Sequence, residues 1–268
     1  WRDPLAGQYF PQDVPPPLTP DQERVWQEIR RGMTAQGEGR QPSVYLLHGV
    51  TGSGKTEVYL RALAEMLAQG RQALVLVPEI ALTPQMVRRF AARFPGRVTV
   101  WHGSLSPGER YDQWRRLRAG EYEIVVGARS ALFAPLSRLG LIVIDEEHEP
   151  AYKQERNPRY HARETALALA RLTGATVILG SATPALETYH RAQQGEFHLL
   201  ELPHRVSASL PLGRQVRIKQ ELQMPPVRVV DMRQELQAGN HHIFSRALQD
   251  VLEQTLDAGE QAILLLNR

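Results

Sequence analysis

The chain has 268 residues, 42% of them hydrophobic and 23% charged, with a net charge of +3, which is the composition of one large globular domain or two small ones. It contains no cysteine, which excludes disulfides and thiolate metal sites within these residues, and no apolar run approaches the ~18 residues of a membrane span. No secretory leader pattern opens the chain, and a first residue of Trp rather than Met is expected of a chain that starts within a longer protein or has been trimmed.

Residues 1–17 read as loop, with Pro15-Pro16-Pro17 a stiff spacer. Thr19-Pro20-Asp21-Gln22 then opens a helix, with Thr19 at the N-cap, Pro20 at N1 and Gln22 at N3. Gly37 to Pro42 reads as a second loop. Strands are predicted at 44–48, 73–77, 98–101, 123–126, 141–144, 176–179, 197–202, 227–230 and 262–266. Helices are predicted near 55–69, 83–94, 107–119, 161–172, 184–194 and 245–258. Near-continuous apolar strands imply burial on both faces, so the expected fold is α/β, a mostly parallel sheet with helices on both faces. Residues 203–226 read as an irregular basic connection, and the apolar end at 262–266 as a core strand leading into further structure.

Gly49-Val50-Thr51-Gly52-Ser53-Gly54-Lys55-Thr56 fits G-x-x-x-x-G-K-[ST], between a predicted strand and a predicted helix. Its glycines let backbone N–H groups wrap a phosphate. Lys55 can reach the β- and γ-phosphates, and Thr56 can hold Mg²⁺. Only Lys55, Lys153 and Lys219 are lysines, so a chain that rarely uses this residue has one where the loop needs it. Ninety residues on, the strand 141–144 runs into Asp145-Glu146-Glu147-His148. In doubly wound sheets, sites lie beyond the carboxyl ends of strands. Asp145 can hold Mg²⁺ and Glu146 can deprotonate the attacking water. His148 can link the γ-phosphate site to neighbouring loops.

Further strand ends carry polar residues. Ser181 and Thr183 can sense the nucleotide, while Thr183-Pro184 reads equally as an N-cap and N1 pair. Thr83, His102, Arg129 and Ser130 end other strands and can meet nucleic-acid phosphates, or can simply be loop chemistry. Residues 88–118 hold eight arginines against Glu109 and Asp112, a basic face or a solvated one. Tyr152, Lys153, Tyr160, Arg156, Arg159 and Arg163 interleave aromatics with cations, which suits stacking on single-stranded bases, or tyrosines packed under a loop.

Six blocks in this order, G-V-T-G-S-G-K-T, L-V-P-E-I-A-L-T-P-Q, G-A-R-S-A-L-F-A-P, D-E-E-H-x-x-x-Y-K-Q, R-Y-H-A-R and G-S-A-T-P-A-L-E-T, resemble the PriA family of primosomal helicases in superfamily 2. The resemblance covers 18–205 strongly and 227–268 weakly. It implies a RecA-like P-loop NTPase domain and a bacterial 3′→5′ DNA helicase of replication restart, using ATP and Mg²⁺. The implied partners are branched and single-stranded DNA, single-stranded DNA-binding protein and primosome proteins. The implied setting is the cytoplasm at the nucleoid, with no membrane.

By match, Lys55 and Thr56 belong to motif I, Asp145 and Glu146 to motif II, and Ser181 and Thr183 to motif III. Tyr152 and Lys153 fall in the aromatic-rich loop that couples DNA binding to hydrolysis. Gln22 sits where related helicases read adenine, a position the capping box explains equally. The expected organisation is a linker at 1–17, the first lobe at 18–205, a connecting segment at 206–260 and the start of a second lobe at 261–268. The family's zinc-binding region and the second lobe's arginine finger are expected outside this chain, so that alone it binds ATP weakly and hydrolyses it poorly. The alternatives are another DNA-dependent translocase, a P-loop kinase or ATPase indifferent to DNA, and a non-catalytic interaction module.

Overall fold

A computed structural model of the protein describes residues 13–34, 42–206, 221–222 and 226–266. The expected loop at 37–42 lies, but for Pro42, outside the described residues, as does most of the basic connection. The described residues form two compact units that divide between Gln223 and Met224.

The first unit begins with α1 (Pro20–Thr34), β1 (Val44–Gly49), α2 (Lys55–Ala68), β2 (Gln72–Leu76), α3 (Pro84–Arg93), β3 (Val98–Trp101), α4 (Pro107–Arg118), β4 (Ile124–Gly127) and β5 (Leu139–Asp145). A two-stranded hairpin, β6 (Lys153–Gln154) and β7 (Tyr160–His161), precedes α5 (Ala162–Thr173), β8 (Thr176–Ser181), α6 (Leu186–Gln193) and β9 (His198–Leu202). A short antiparallel pair, β10 (Arg205–Val206) and β11 (Glu221–Leu222), closes the unit. The main sheet has seven strands in the order β3-β4-β2-β5-β8-β1-β9, all pairs parallel.

Side-chain alternation explains the two layers. Tyr45, Leu47, Val75, Val143 and Ile178 pack on one face with α1, α2 and α3. Leu46, Leu74, Ile142, Val177 and Leu179 pack on the other with α5 and α6. Parallel strands buried on both faces require apolar residues at successive positions, and these strands have them. The helix starts follow the sequence chemistry. Thr19 and Gln22 form the reciprocal box, with Thr19 N donating to Gln22 Oε1 at 3.1 Å and Gln22 N to Thr19 Oγ1 at 3.3 Å. Thr83 caps α3 by accepting from Met86 N, and Ser106 with Glu109 makes a second capping box on α4.

Two expectations of regular structure are corrected in the second unit. The segments 227–230 and 262–266 take no regular secondary structure and form no ladder, and Val229, Ile263 and Leu265 are 91%, 97% and 95% exposed. A strand is completed by hydrogen bonds to a neighbour, and among the described residues none borders these segments. The unit does contain α7 (Met232–Gln237), which the periodicity did not predict, and α8 (Arg246–Asp257), which it did. Glu235 joins the two helices, accepting from Asn240 Nδ2 at 2.8 Å and Arg246 N at 3.0 Å.

Candidate nucleotide site

The carboxyl ends of β1, β5 and β8 meet at one cleft of about 400 Å³, lined by Thr51 to Thr56, Asp145, Glu146, Arg89 and Val206. The loop's backbone explains its glycines. Gly52 and Gly54 lie at φ of 80° and 82°, in the region where a Cβ is disfavoured. A Cβ on Gly49 would stand 2.6 Å from Ser53 Oγ. Lys55 is buried and its Nζ donates to Gly49 O at 2.8 Å, so the cation is folded across the loop's mouth. Thr56 is partly exposed in the cleft.

Among the described residues, Ser53 Oγ is a buried side-chain oxygen without a hydrogen-bond partner. A buried orphan in a glycine cradle beside a lysine fits a phosphate ester with its Mg²⁺. Lys55 and the loop N–H groups would hold the phosphates, and Thr56 and Asp145 the ion.

Gln22 is placed differently from the expected adenine contact. It is fully buried, its Nε2 donates to Ser53 O at 2.8 Å, and its Oε1 accepts from Thr19 N. One end of the amide therefore buttresses the loop and the other caps α1. On the other side, Val206 N donates to Gly52 O at 2.9 Å, and Val50 N to Leu202 O at 3.1 Å.

The register of β5 on β8 sets Asp145 opposite Gly180. Tyr59 of α2, fully buried, reaches across this point and donates to Asp145 Oδ1 at 3.0 Å. A Cβ on Gly180 would lie 1.6 Å from the Tyr59 hydroxyl, which is why position 180 carries no side chain. Burial, followed by the charge of Asp145, pushes the Tyr59 hydroxyl well up, so it stays a donor. Burial, then Glu146, raises the Asp145 carboxyl above the ordinary aspartate range. Glu146 itself sits at φ 47°, a left-handed conformation that costs a non-glycine residue about 1 kcal/mol. It is held there by Glu149 N donating to its carbonyl at 2.9 Å and Glu147 N donating to Gly180 O at 3.0 Å.

His148 engages both ring nitrogens. Nδ1 lies 2.8 Å from Ser181 Oγ and 3.7 Å from Glu146 Oε2, and Nε2 lies 3.3 Å from Thr183 Oγ1. The three residues expected to act together are thus in one hydrogen-bonded group. Thr183 is not the helix cap, however. The cap lies two residues later at Ala185, with α6 starting at Leu186, and the Ala185 N–H donates to Glu147 Oε1 at 2.7 Å. The Glu147 carboxylate, fully buried, also accepts from Arg163 Nη1 at 2.8 Å and Thr188 Oγ1 at 2.9 Å. It fastens the loops after β5 and β8 to α5 and α6, and it was missed because nothing in D-E-E-H distinguishes the structural glutamate from the exposed one.

Several residues expected to face nucleic acid are corrected. Tyr152 is 1% exposed and its hydroxyl donates to Asp145 O at 2.6 Å, so it cannot stack on a base. Arg163 is the buried partner of Glu147. Arg129 donates to Ala151 O at 2.8 Å and to Lys153 O, holding the loop after motif II. In each case the side chain answers a backbone or carboxylate oxygen that folding would otherwise leave unpaired.

Lys153 is exposed on the first strand of the hairpin. Thr83 is exposed, His102 is half-buried with Nδ1 2.7 Å from Ser104 Oγ, and Ser130 is half-buried. Ser130 and Arg129 line a second cleft of about 160 Å³, with Glu79 and Gly103, at the ends of β2, β3 and β4. The arginines of 88–118 do not make one face. Arg93 is buried against Glu57, Arg97 pairs with Glu123, and Arg116 pairs with Glu121. Among the described residues, no helix is long and apolar enough to cross a membrane.

Residues 19–192 match the DEAD/DEAH box helicase family. The chain is 50% identical over 268 residues to the replication restart protein PriA of Bacillus subtilis (strain 168), covering all of this chain and 31% of that protein. It is 48% identical over 258 residues to PriA of Synechocystis sp., covering 94% of this chain and 29% of the relative, and 41% identical over 262 residues to that of Chlamydia pneumoniae, covering 97% and 33%. The chain therefore spans about a third of the length of these curated relatives. Among solved structures, the DUF1998 helicase MrfA bound to DNA shares the fold, with a TM-score of 0.51 at 20% identity over 69% of this chain and 27% of that one. With its phosphate loop, its Asp145-Glu146 pair and the sheet that joins them, the chain belongs to the DEAD/DEAH box helicase family, and its full length carries the sequence of the PriA members.

Proposed function

We propose that these residues are the ATP-binding lobe of a DNA helicase of replication restart. The observation that carries the reading is the meeting of Lys55, Thr56, Asp145 and Glu146 on one cleft, with the buried Ser53 hydroxyl left for a ligand. Lys55 and the loop amides bind the β- and γ-phosphates. Thr56 and Asp145 would hold Mg²⁺, which would supply neutralisation of phosphate charge. Glu146, partly exposed at the cleft, orients water and takes its proton. Tyr59 and Tyr152 hold Asp145 through its carboxylate and its carbonyl. His148, Ser181 and Thr183 connect Glu146 to the next loop.

DNA is the proposed substrate, met along the rim by Thr83, His102, Ser130 and Lys153. The relatives are replication restart proteins, which supports branched and single-stranded DNA, single-stranded DNA-binding protein and primosome proteins as partners in the bacterial cytoplasm. In this reading residues 18–205 form the first RecA-like lobe and 1–17 an incoming linker. Residues 206–260 connect to a second lobe that begins at 261–268 and supplies an arginine to the nucleotide, so the chain alone turns over ATP poorly.

The test is ATP hydrolysis by the full-length protein with and without single-stranded DNA, in wild type and Lys55→Ala. DNA-stimulated hydrolysis that falls ~10²–10³-fold or more in the variant is expected. Hydrolysis indifferent to DNA would instead favour a P-loop ATPase or kinase of another class.

A further inference from the structure

α3 carries two arginines one turn apart with different surroundings. Arg93 is 6% exposed and is gripped by Glu57 through bonds of 2.8 and 3.2 Å, with Asp13 alongside. Glu57 follows Thr56 directly, so this buried pair fixes α3 against the first turn of α2. Arg89 precedes Arg93 by four residues and so projects from the same face of the helix. It is exposed, and it lines the nucleotide cleft with Thr56, Asp145 and Glu146. Among the described residues no carboxylate lies within ion-pair distance of it. Asp145 and Glu146 share the cleft but do not take it as a partner.

The topology decides which part of a nucleotide Arg89 would meet. α3 follows β2, which lies on the β5 side of β1, whereas α1 and the 202–206 segment border the loop from the β9 side. The Thr56–Asp145 side is where the ion and the terminal phosphate belong, and Arg89 stands on that side. A guanidinium presents paired donors matched to phosphate oxygens.

We propose that Arg89 is a phosphate-contacting residue supplied in cis by α3, which reads the terminal phosphate of a bound nucleoside triphosphate. The inference rests on the nucleotide site proposed above. It separates Arg89 from the rest of the 88–118 block, whose other members do not line the cleft.

The test compares affinities of the full-length protein for ADP and for a non-hydrolysable ATP analogue, by competition against a fluorescent nucleotide with Mg²⁺ present. Arg89→Ala, Arg89→Lys and Lys55→Ala are measured beside wild type, with thermal melts as the check on folding. A charge-assisted hydrogen bond contributes about 1.5–3 kcal/mol, so Arg89→Ala is expected to weaken the triphosphate analogue about tenfold or more. It should change ADP affinity less than about threefold on the same grounds, and Arg89→Lys should recover part of the loss. Equal losses for both nucleotides, no loss, or a loss confined to DNA affinity overturns the assignment. If Lys55→Ala also leaves nucleotide affinity intact, the site reading falls, and the role of Arg89 falls with it. If Lys55→Ala abolishes binding while Arg89→Ala leaves the ATP-to-ADP ratio unchanged, only the latter is wrong.

Discussion

One rim of a single sheet is built in two ways. At the ends of β1, β5 and β8, polar side chains are buried and held by partners far away in sequence. Tyr59 reaches Asp145, Arg163 reaches Glu147, and Gln22 reaches the Ser53 carbonyl. Beyond the ends of β2 and β3, Thr83 binds Met86 and His102 meets Ser104, each within three residues, with Thr83 exposed and His102 half-buried. The first construction keeps two carboxylates in place despite burial and mutual repulsion. The second leaves donors on short local supports, where a ligand can draw them without disturbing the core. Long-range support is concentrated where carboxylates must be positioned, and short local support where polar groups face the rim.

Substitutions can break or sharpen this contrast. The largest expected effect is at Glu147. Glu147→Ala removes the buried partner of Arg163, leaves it only the half-exposed Glu164, and strands the Ala185 N–H and Thr188 hydroxyl, so it should cost about 3 kcal/mol, read as a lowered denaturation midpoint. A midpoint within error of wild type would mean the nucleotide end is no more tightly built than the other. Gly180→Ala comes next, since its Cβ must displace the Tyr59 hydroxyl. A loss of about 1–3 kcal/mol is expected, with partial recovery when Tyr59→Phe is added. Thr83→Ala probes the open end, and the loss of one cap should cost about 1 kcal/mol with nucleotide affinity unchanged.

The smallest effect has the opposite sign. Burial and Glu146 raise the Asp145 carboxyl, so the folded protein holds that proton more tightly than the unfolded chain does. Its contribution to stability is therefore lost as pH rises through the elevated value, and the ionised carboxylate is a burden at neutral pH. Asp145→Asn keeps an acceptor for Tyr59 and should gain about 1 kcal/mol at pH 7 while abolishing turnover. Melts at pH 7 and pH 4 check this, because the gain should shrink in acid.

The contrast also explains what could be read in the sequence. The seven sheet strands and the helices that flank them follow from local apolar runs and capping residues such as Thr19, which carry their own signal. The phosphate loop is legible for the same reason, because its eight residues are contiguous. Tyr152, Arg129 and Arg163 were misread because each looks like a free aromatic or cation until the fold brings up its oxygen partner. Tyr59 and Glu147 were invisible for the complementary reason: a tyrosine within an apolar helix and a second glutamate in an acidic run have nothing local to mark them. The strands at 227–230 and 262–266 failed because an apolar run becomes a strand only where a neighbouring backbone receives it.

The Arg129 guanidinium has a mechanical consequence. It grips the carbonyls of Ala151 and Lys153 from the loop that ends β4, and between those two residues Tyr152 holds the Asp145 carbonyl. The backbone after β4 is thereby joined to the backbone at Asp145 through two hydrogen-bonded links, Arg129 and Tyr152. The inner link is the buried Tyr152, which ties one side of the rim to the other without lying on its surface.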